Sequence, residues 1–448
     1  MKLPVKGPTY EELLQDQALL AAFPKVMRNG GRPGPEVNGD YIHWDNLRHR
    51  TPPKGLSHRE WWLGIKFARE QLLKPIPLLD KTAKPFRYAM TDSLLRQIHQ
   101  IDRDASGRIE ISEQVTNPET RDRYIINSLI QEAITSSQLE GAATTTEQAK
   151  EMIRTGRKPK DRGEQMIFNN FQAMGHVRQF TDKVLTTELV MELQEIVTQK
   201  TLDDEGAAGR FRTNEDNIVV QDQDGTILHR PPPAEELPDR MRKMCDFAND
   251  RSEDRFVHPV VRAIILHFWL GYDHPFVDGN GRTARALFYW SMLSDEYWLC
   301  EYLSISKILR AAPAQYARSF LYTESDESDL TYFILYHLHV IQRAIDELHE
   351  YLQKKIREVR KVESLMRQSA ELNHRQLALL SHAIKHPSAR YSIKSHQRSH
   401  SVAYQTARTD LLELADKELL SKKKIGRTYY FRPVADLAGH LRRLDDQR

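Results

Sequence analysis

Cysteine is nearly absent from this sequence of 448 residues, which contains only Cys245 and Cys300. Two thiols cannot form a disulfide framework or a zinc site of four thiolates, and no CxxC pair occurs. This scarcity excludes the disulfide-stabilised secreted scaffolds and favours a reducing compartment.

An excess of charge of one sign is also missing. Lysine and arginine total 65 against 62 aspartate and glutamate residues, a formal net charge of +3. This balance excludes a chain that binds nucleic acid as a polycation along its whole length, so any nucleic-acid role must be local. Hydrophobic residues make up 40% and charged residues 28%, which is typical of a folded globular protein. At about 150 residues per domain, the length allows roughly two to four domains.

Long hydrophobic runs are lacking as well. The most apolar stretch, Ala263 to Tyr272, is about half the roughly 20 residues that a membrane-spanning helix needs. This stretch therefore predicts a buried helix. The first residues, MKLPVKGPTYEELLQ, contain no apolar region of the signal-peptide type, so we expect a cytoplasmic protein without a membrane partner.

Apolar residues recur mainly at helical spacing, while strand-like alternation is scarce. From Arg121 to Leu139 they form one stripe, and a second stripe with steps of three and four runs from Ile334 to Val359. Prolines and glycines cluster near the N-terminus, which favours irregular structure leading to a helix from His58 to Leu73. The sequence therefore predicts a mostly α protein with a wrapping N-terminal region.

The segment HPFVDGNGRTAR, from His274 to Arg285, is the most informative part of the sequence. It lies between the apolar stretch and a second helix, which is predicted from Ala286 to Leu293. Gly279 and Gly281 permit positive φ and close backbone approach, so amide N–H groups at this helix N-terminus can surround one anion. The segment therefore predicts a phosphate site.

Charged side chains complete this predicted phosphate site. Arg282 and Arg285 are three residues apart and share a helix face, so their guanidinium groups can bind further phosphate oxygens. Asp278 offers a hard carboxylate oxygen suited to Mg²⁺, and His274 adds a titratable base. A lone histidine or a lone aspartate in a turn is more often structural, but their combination in one short segment favours catalysis. The GxGxxA spacing alone is a weak dinucleotide fingerprint, and no preceding strand supports it.

The whole segment resembles the HxFx[DE]GNGRxxR signature of the Fic family, whose members typically transfer AMP from ATP to a protein hydroxyl. The resemblance implies a Fic-type helical core, ATP as substrate, Mg²⁺ as cofactor, and a protein target with an accessible Ser, Thr or Tyr hydroxyl. It also implies a role for each position: the base for the target hydroxyl at His274, a loop anchor at Phe276, a Mg²⁺ ligand at Asp278, α-phosphate contacts at Gly279, Asn280 and Gly281, a β-phosphate contact at Arg282 and a γ-phosphate contact at Arg285.

Residues 209–233 resemble a second element of that family, the flap. The flap is a β-hairpin over the active site, and its backbone aligns a target segment by strand addition. The dipeptide Asp224–Gly225 favours a hairpin here. An ordinary surface hairpin is the alternative interpretation.

The segment SSQLEG, from Ser136 to Gly141, matches the [ST]xxxE[GN] motif of Fic proteins that carry a built-in inhibitory helix. In that class the glutamate pairs with the second arginine of the loop. The resemblance therefore implies that Glu140 pairs with Arg285 and blocks productive placement of the γ-phosphate, with Ser136, Glu140 and Gly141 as inhibitory residues. Taken in isolation, Glu140 is more simply an exposed carboxylate before a glycine that ends a helix.

The chain changes character near Ser369. Helical patterns from Asn373 to Lys385 and from Val402 to Leu420 precede KKKIGRTYYF, which resembles a hairpin, and this order favours a winged helix. Such a module would bind DNA, although winged helices also serve as protein-contact or dimerisation modules, so a homodimer is an alternative. The side chains suited to DNA are Tyr404, Gln405, Arg408 and Thr409 on the preceding helix, and Lys422, Lys423, Lys424, Arg427, Tyr429 and Tyr430 on the hairpin.

The sequence thus predicts three regions: an N-terminal wrapping region at 1–115, a Fic core with inhibitory helix, flap and long connecting helix at 116–368, and a winged helix at 369–448. The expected function is an autoinhibited protein adenylyltransferase with self-modification. Two alternatives stay open. One is a DNA-binding transcriptional regulator whose Fic domain senses ATP, although an intact His274 disfavours a pure sensor, which needs no base. The other is an enzyme that removes AMP, for which Glu140 would position a water.

Overall fold

The computed structural model of the protein describes residues 1–29, 34–105, 118–222, 224–368, 372–386, 389–425, 428–435, 437 and 439–440. These residues are mostly helical, as the sequence predicts. They form two compact units, a larger one from the described residues of Met1–Ile109 and Ile125–Asp346, and a smaller one from those of Glu110–Tyr124 and Glu347–Arg448.

Helices dominate the chain up to residue 368, where four short strands form two separate antiparallel hairpins. In chain order the elements are α1 (Tyr10–Gln15), α2 (Gln17–Asn29), α3 (Trp44–Leu47), α4 (His58–Glu70), β1 (Leu73–Leu79), β2 (Pro85–Ala89), α5 (Asp92–Ala105), α6 (Pro118–Leu139), α7 (Thr146–Thr155), α8 (Arg162–Val177), α9 (Thr187–Thr198), β3 (Val220–Gln221), β4 (Ile227–His229), α10 (Leu237–Asn249), α11 (Pro259–Asp273), α12 (Asn280–Ser294), α13 (Ile305–Ala311), α14 (Pro313–Ser325) and α15 (Thr331–Gln368).

The centre of the larger unit is the pair α11 and α12. Nearly every side chain of α11 is buried, from Val260 to Asp273, as expected for a helix that is apolar on all sides. The buried helix predicted from Ala263 to Tyr272 is therefore confirmed. Helix α12 begins at Asn280, six residues before the predicted start at Ala286, so that both loop arginines lie within its first two turns.

The N-terminal helices are tied to the larger unit by buried charges. Lys66 of α4 lies 2.9 Å from a carboxylate oxygen of Asp326 at the end of α14, and both side chains are 2% exposed. Arg69, one turn later, donates a 2.7 Å hydrogen bond to the hydroxyl of Tyr332 in α15. Removing one member of a buried pair leaves an uncompensated charge, so this network fixes α4 against the C-terminal part of the unit. The described residues of Met1–Ile109 accordingly belong to the same compact unit as Ile125–Asp346.

The smaller unit contains helices and a small sheet around its own core. Its three strands, Tyr391–Ser392 (β5), Leu420–Ile425 (β6) and Thr428–Pro433 (β7), form an antiparallel sheet in the order β5, β7, β6. Leu380, Leu411 and Phe431 are fully buried between the sheet and the helices. The predicted hairpin is present as β6 and β7, while Ser369, Gly426 and Arg427 lie outside the described residues. Its elements are α16 (His374–Lys385), β5 (Tyr391–Ser392), α17 (Ile393–His400), α18 (Tyr404–Asp416), β6 (Leu420–Ile425) and β7 (Thr428–Pro433).

Over the part of the chain that the structure describes, no helix is both long enough and apolar enough to span a membrane.

Candidate active site

The loop between α11 and α12 begins at His274, which has left-handed backbone angles, φ 44° and ψ 57°. Its backbone N–H donates to the carbonyl of Leu270 at 2.9 Å, as in a helix, and its left-handed angles end the helix. The ring atom Nδ1 lies 3.3 Å from the carbonyl of Gly271, and because a carbonyl only accepts, Nδ1 carries the proton. Nε2 therefore keeps its lone pair. Burial disfavours the imidazolium and lowers the pKa of His274 to about 4, so the ring is a neutral acceptor near pH 7.

Asn280 closes this loop on itself. Its side-chain oxygen accepts from the backbone N–H of Phe276 at 3.0 Å, and its side-chain nitrogen donates to the carbonyl of the same residue at 2.8 Å. Phe276 is fully buried, as the resemblance implies for a loop anchor. Both polar atoms of Asn280 are thus used inside the loop, which leaves its backbone N–H, at the start of α12, to face an anion.

A Cβ added at either of the two loop glycines would meet a close neighbour. Gly279 has φ 85°, and a Cβ there would lie 2.7 Å from Thr198 Cγ2 of α9. A Cβ on Gly281 would overlap Oε1 of Glu140 and would lie 3.1 Å from Nη1 of Arg285. The space beside Gly281, at the positive end of α12, is therefore filled by a carboxylate.

Arg282 is fully buried, and its guanidinium is held from two sides. Nη1 donates to the carbonyl of Val197 at 2.6 Å, and Nη2 donates to Oδ1 of Asp278 at 3.2 Å. Burial lowers the pKa of Arg282, although an arginine stays charged at neutral pH. The guanidinium is thus a fixed positive charge beneath the loop.

Arg285 is also buried, with 1% of its surface exposed. It donates through Nε to Ser136 Oγ at 2.8 Å, and through Nη2 to the Ser136 carbonyl at 3.1 Å and to Oε1 of Glu140 at 2.8 Å. Its Nη1 makes no hydrogen bond to any residue that the structure describes. Burial is the largest effect and lowers the pKa of Arg285, but Glu140, together with Tyr316 and Glu132, raises it above its ordinary value.

Helix α6, which carries Glu140 just beyond its last turn, is anchored along its length. Ser137 Oγ donates to the carbonyl of Met166 in α8 at 3.1 Å. Glu132 is buried and accepts a 3.1 Å hydrogen bond from the backbone N–H of Ser306 in α13. Gly141, with φ 94°, turns the chain immediately after Glu140. The structure thus brings the segment from Ser136 to Gly141 into contact with Arg285.

The carboxylate of Asp278 has one engaged and one accessible oxygen. Oδ1 accepts hydrogen bonds from the Gly279 N–H at 2.5 Å and from Arg282. The neighbour of Oδ2 is Nη2 of Arg162, which lies 3.8 Å away and thus beyond hydrogen-bond distance. The described residues contain no group of three or more His, Cys, Asp or Glu that could hold a metal ion. Mg²⁺ commonly binds through one or two carboxylates together with phosphates and waters, so a single accessible oxygen fits this ion.

The flap region is fastened to the loop by a residue that the sequence reasoning missed. Arg212 donates through Nε to the His274 carbonyl at 2.8 Å and through Nη2 to the Pro232 carbonyl at 2.6 Å. Its backbone N–H donates to the carbonyl of Pro275 at 2.8 Å. No local sequence signal marks this role, because every acceptor is a backbone carbonyl. Between these anchors lies the short hairpin β3–β4, whose turn contains Gly225 at φ 78°, while Gln223 lies outside the described residues.

Gln194 of α9 is a second missed residue. It is fully buried, donates through Nε2 to the Asp278 carbonyl at 3.0 Å and accepts at Oε1 from the Gly209 N–H at 2.6 Å. The sequence does contain a signal for Gln194, because it lies on the apolar stripe with Val190, Leu193 and Val197. A polar residue on a buried helix face must find hydrogen-bond partners. Gln194 therefore links the loop to the start of the flap.

Comparison with known proteins identifies the domain that holds this loop. Residues 184–292, from α9 through the β3–β4 hairpin and α11 into α12, match the Fic/DOC family. The chain contains a Fic/DOC domain. The match begins after α6 and therefore does not include Glu140.

Named relatives share a short part of this chain's sequence. A protein adenylyltransferase Fic of Nematostella vectensis is 39% identical over 80 residues, which are 18% of this chain and 17% of the relative. A protein adenylyltransferase of Caenorhabditis elegans is also 39% identical over 80 residues, and the match covers 18% of this chain and 14% of that protein. The chain thus spans less than a fifth of the length of either curated relative.

The fold is shared over a longer stretch. A crystal structure of a Fic family protein from Desulfovibrio desulfuricans G20 superposes with a TM-score of 0.52 and 20% sequence identity, covering 78% of this chain and 98% of the other. This likeness shows the fold, and the Fic-type helical core implied by the loop sequence is confirmed.

Proposed function

We propose that the Fic/DOC domain transfers AMP from ATP to a Ser, Thr or Tyr hydroxyl of a protein target, and that Glu140 inhibits this transfer. The relatives named protein adenylyltransferase support the reaction. The observation that supports inhibition is the position of the Glu140 carboxylate. It pairs with Arg285 and fills the space beside Gly281, where an anion at the α12 N-terminus would lie.

His274 is the base in this proposal. The target hydroxyl oxygen bonds to the α-phosphorus of ATP, the bond from that phosphorus to the β-phosphate bridging oxygen breaks, and pyrophosphate leaves. The hydroxyl proton passes to Nε2 of His274, whose lone pair is kept available by the contact of Nδ1 with the Gly271 carbonyl. The low pKa of the ring keeps it unprotonated before the reaction.

The phosphates are bound by the rest of the loop in this proposal. The α12 N-terminus at Gly279, Asn280 and Gly281 offers backbone N–H groups, and Arg282 and Arg285 offer fixed positive charges. Asp278 would hold Mg²⁺ through its accessible oxygen, and the bound ion would supply positive charge to the phosphates. While Arg285 binds Glu140, it is withheld from the γ-phosphate, and the carboxylate repels the incoming anion.

The flap positions the target in this proposal. Strands β3 and β4 contain only two and three residues, and Arg212 holds their base against the loop carbonyls. An extended segment of a target, or of a second copy of this chain in self-modification, would add to this hairpin through backbone hydrogen bonds and bring its hydroxyl to His274.

The test is to incubate the purified chain with Mg²⁺ and ATP labelled in the α-phosphate, and to follow the label into protein. We expect transfer by the wild type at a low level and no measurable transfer by His274→Ala, since loss of a general base costs on the order of 10² to 10⁴ in rate. Nucleotide binding should survive in this variant, because its contacts are amides, arginines and metal. Equal labelling by the variant and the wild type would remove His274 from the mechanism.

We further propose that the smaller unit is a winged helix that binds DNA. Residues 372–448 contain 15 lysines and arginines against 7 aspartates and glutamates, an excess that the rest of the chain does not share. On β6, Lys422, Lys423 and Lys424 are exposed, and Nζ of Lys422 and of Lys424 lie 5.4 and 5.8 Å from the ring of Tyr429. Such a basic hairpin beside helix α18 supports contacts with phosphates and with base edges.

Fluorescence anisotropy with a labelled duplex of about 30 base pairs, measured over a range of salt concentrations, tests this partner. The affinity should fall as salt rises, and Lys422→Ala/Lys424→Ala should weaken binding and reduce the slope of log affinity against log salt by about 2. The matched control is Lys158→Ala/Lys160→Ala in the larger unit. This variant should change neither the affinity for DNA nor the salt slope. Absence of binding at low salt would favour a protein-contact or dimerisation role.

A further inference from the structure

We infer that Arg162 is a specificity-determining residue of the nucleotide site, and that it contacts the terminal phosphate of a bound triphosphate. Arg162 is the first residue of α8 and lies outside the loop between α11 and α12. The inference rests on the proposed function, because it concerns the nucleotide that the loop would bind.

The first observation is a cavity of about 530 Å³ next to the anion position at Gly281. Its lining contains three acidic residues, Glu140, Asp161 and Asp278, and Arg162 is the sole cation among its described lining residues. A polyphosphate that entered this cavity past three carboxylates would be repelled unless cations balanced them. Arg162 is placed to provide one of these charges from the wall.

The second observation is that the guanidinium of Arg162 is available. Nη2 lies 3.8 Å from Asp278 Oδ2 and Nη1 lies 3.9 Å from Asp203 Oδ1, both longer than a hydrogen bond. The Arg162 side chain is 58% exposed and that of Asp203 is fully exposed. Ion pairs of this kind contribute little, so a phosphate oxygen can replace either carboxylate at small cost.

The backbone that carries Arg162 is nevertheless fixed. Asp161 caps α8 by accepting from the Glu164 N–H at 2.8 Å. Glu164 is itself buried and pairs with Arg157, whose Nη2 lies 2.8 Å from its carboxylate. The start of α8 is therefore held in place, and only the side chain of Arg162 must turn to reach a ligand.

The position of Arg162 relative to the loop assigns it to the last phosphate. The loop amides and Arg282 lie deep in the site, where Arg282 is fully buried, and Arg285 is reached only after Glu140 leaves. Arg162 lies on the open side, beyond the Asp278 carboxylate. The phosphate furthest from the loop amides would thus lie between Arg285 inside and Arg162 outside, whereas a diphosphate would end before reaching Arg162.

Isothermal titration calorimetry with Mg²⁺ and either ATP or ADP tests this assignment. The parent protein is Glu140→Gly/His274→Ala, in which the inhibitory carboxylate is removed and ATP is not consumed. Adding Arg162→Ala should weaken ATP binding about two- to fivefold, the range for one partly exposed charge contact, and should leave ADP binding unchanged. Arg162→Lys should restore part of the ATP affinity, because it keeps the charge but not the fork of donors. The matched control Lys160→Ala removes a neighbouring exposed charge and should change neither affinity.

Two results would overturn the inference. Unchanged ATP affinity in Arg162→Ala would exclude the contact, and an equal loss for ATP and ADP would show that Arg162 does not recognise the terminal phosphate. Failure of the proposed function is distinguishable, because it appears in the parent protein as absence of ATP binding, or in Glu140→Gly as absence of AMP transfer. A parent that binds no ATP would overturn both.

Discussion

Oε1 of Glu140 accepts a 2.8 Å hydrogen bond from Nη2 of Arg285, a residue 145 positions further along the chain. The guanidinium is 1% exposed and the Glu140 side chain 33% exposed, so the pair lies at the inner end of the site with its carboxylate edge open to solvent. A charge-assisted hydrogen bond to a buried guanidinium is stronger than a surface pair. This single contact gives the proposed inhibition a mechanism, which is competition for Arg285.

Replacing Glu140 by glycine is expected to raise AMP transfer about ten- to a hundredfold, the factor that corresponds to one hydrogen bond between charged groups. The rate should rise more than the ATP affinity, because the freed guanidinium changes the orientation of the phosphates. Transfer of α-labelled ATP into protein, including the enzyme itself, measures the change. Arg285→Ala in the Glu140→Gly background is the control and should lose the gain. A Glu140→Gly rate equal to that of the wild type would reduce the motif to a helix terminus.

Gly281→Ala provides an independent test of the anion position. In the Glu140→Gly background the carboxylate that a Cβ would overlap is gone, and the remaining neighbour is the end of the Arg285 side chain, with Nη1 at 3.1 Å. Gly281 lies within α12, where alanine is favoured over glycine by up to about 1 kcal/mol. The protein should therefore melt no lower than its parent, while ATP binding falls because the methyl group fills the phosphate space. Calorimetry and a thermal melt on the same two samples separate these effects. Unchanged ATP binding would place the phosphate elsewhere.

The acid limb of the pH profile should reflect the buried environment of His274. A general base works in its unprotonated form, and burial lowers the pKa of His274 to about 4. Activity of Glu140→Gly, measured as kcat/KM, should therefore show no loss from histidine protonation as the pH falls from about 8 to 5, and should decline as it approaches 4. An apparent midpoint near the ordinary histidine value would contradict the lowering of the His274 pKa by burial.

Stability should fall as the solution is acidified, because several histidines of the larger unit are buried in the neutral form. Burial lowers the pKa of His274 and of His43 to about 4 and that of His337 to about 3. The unfolded chain binds protons at these sites near pH 6.5, so it is favoured below that value by up to about 1.4 kcal/mol per pH unit and histidine.

His337→Phe tests the contribution of one of these rings. His337 is fully buried, stacks on Phe333 with ring centroids 3.9 Å apart, and leaves Nε2 without a partner. A phenyl ring cannot be protonated, so the thermal midpoint of the variant should drop less between pH 7 and 5 than that of the wild type. Parallel curves for the two proteins would show that His337 does not titrate in this range.

The division between what the sequence determined and what the tertiary structure decided follows the range of the interactions. Residues 274–285 specify their own loop, because Gly279 supplies the positive φ and Asn280 binds the backbone four residues earlier. Helix periodicity likewise predicts α6, α11 and the long helix α15, since apolar spacing depends only on neighbours along the chain. The start of α12 was placed too late because the motif itself forms the first turn.

Only the fold could decide which distant groups complete the site. Arg212 donates to backbone carbonyls, Gln194 accepts from a backbone N–H, and Arg162 lines a cavity between helices. No local sequence pattern encodes such partners. The packing of α4 through Lys66 and Asp326 was hidden for the same reason, since the two residues are 260 positions apart. Local sequence fixes turns and helices because their contacts lie a few residues away, whereas charge pairing across the core depends on packing that brings remote segments together.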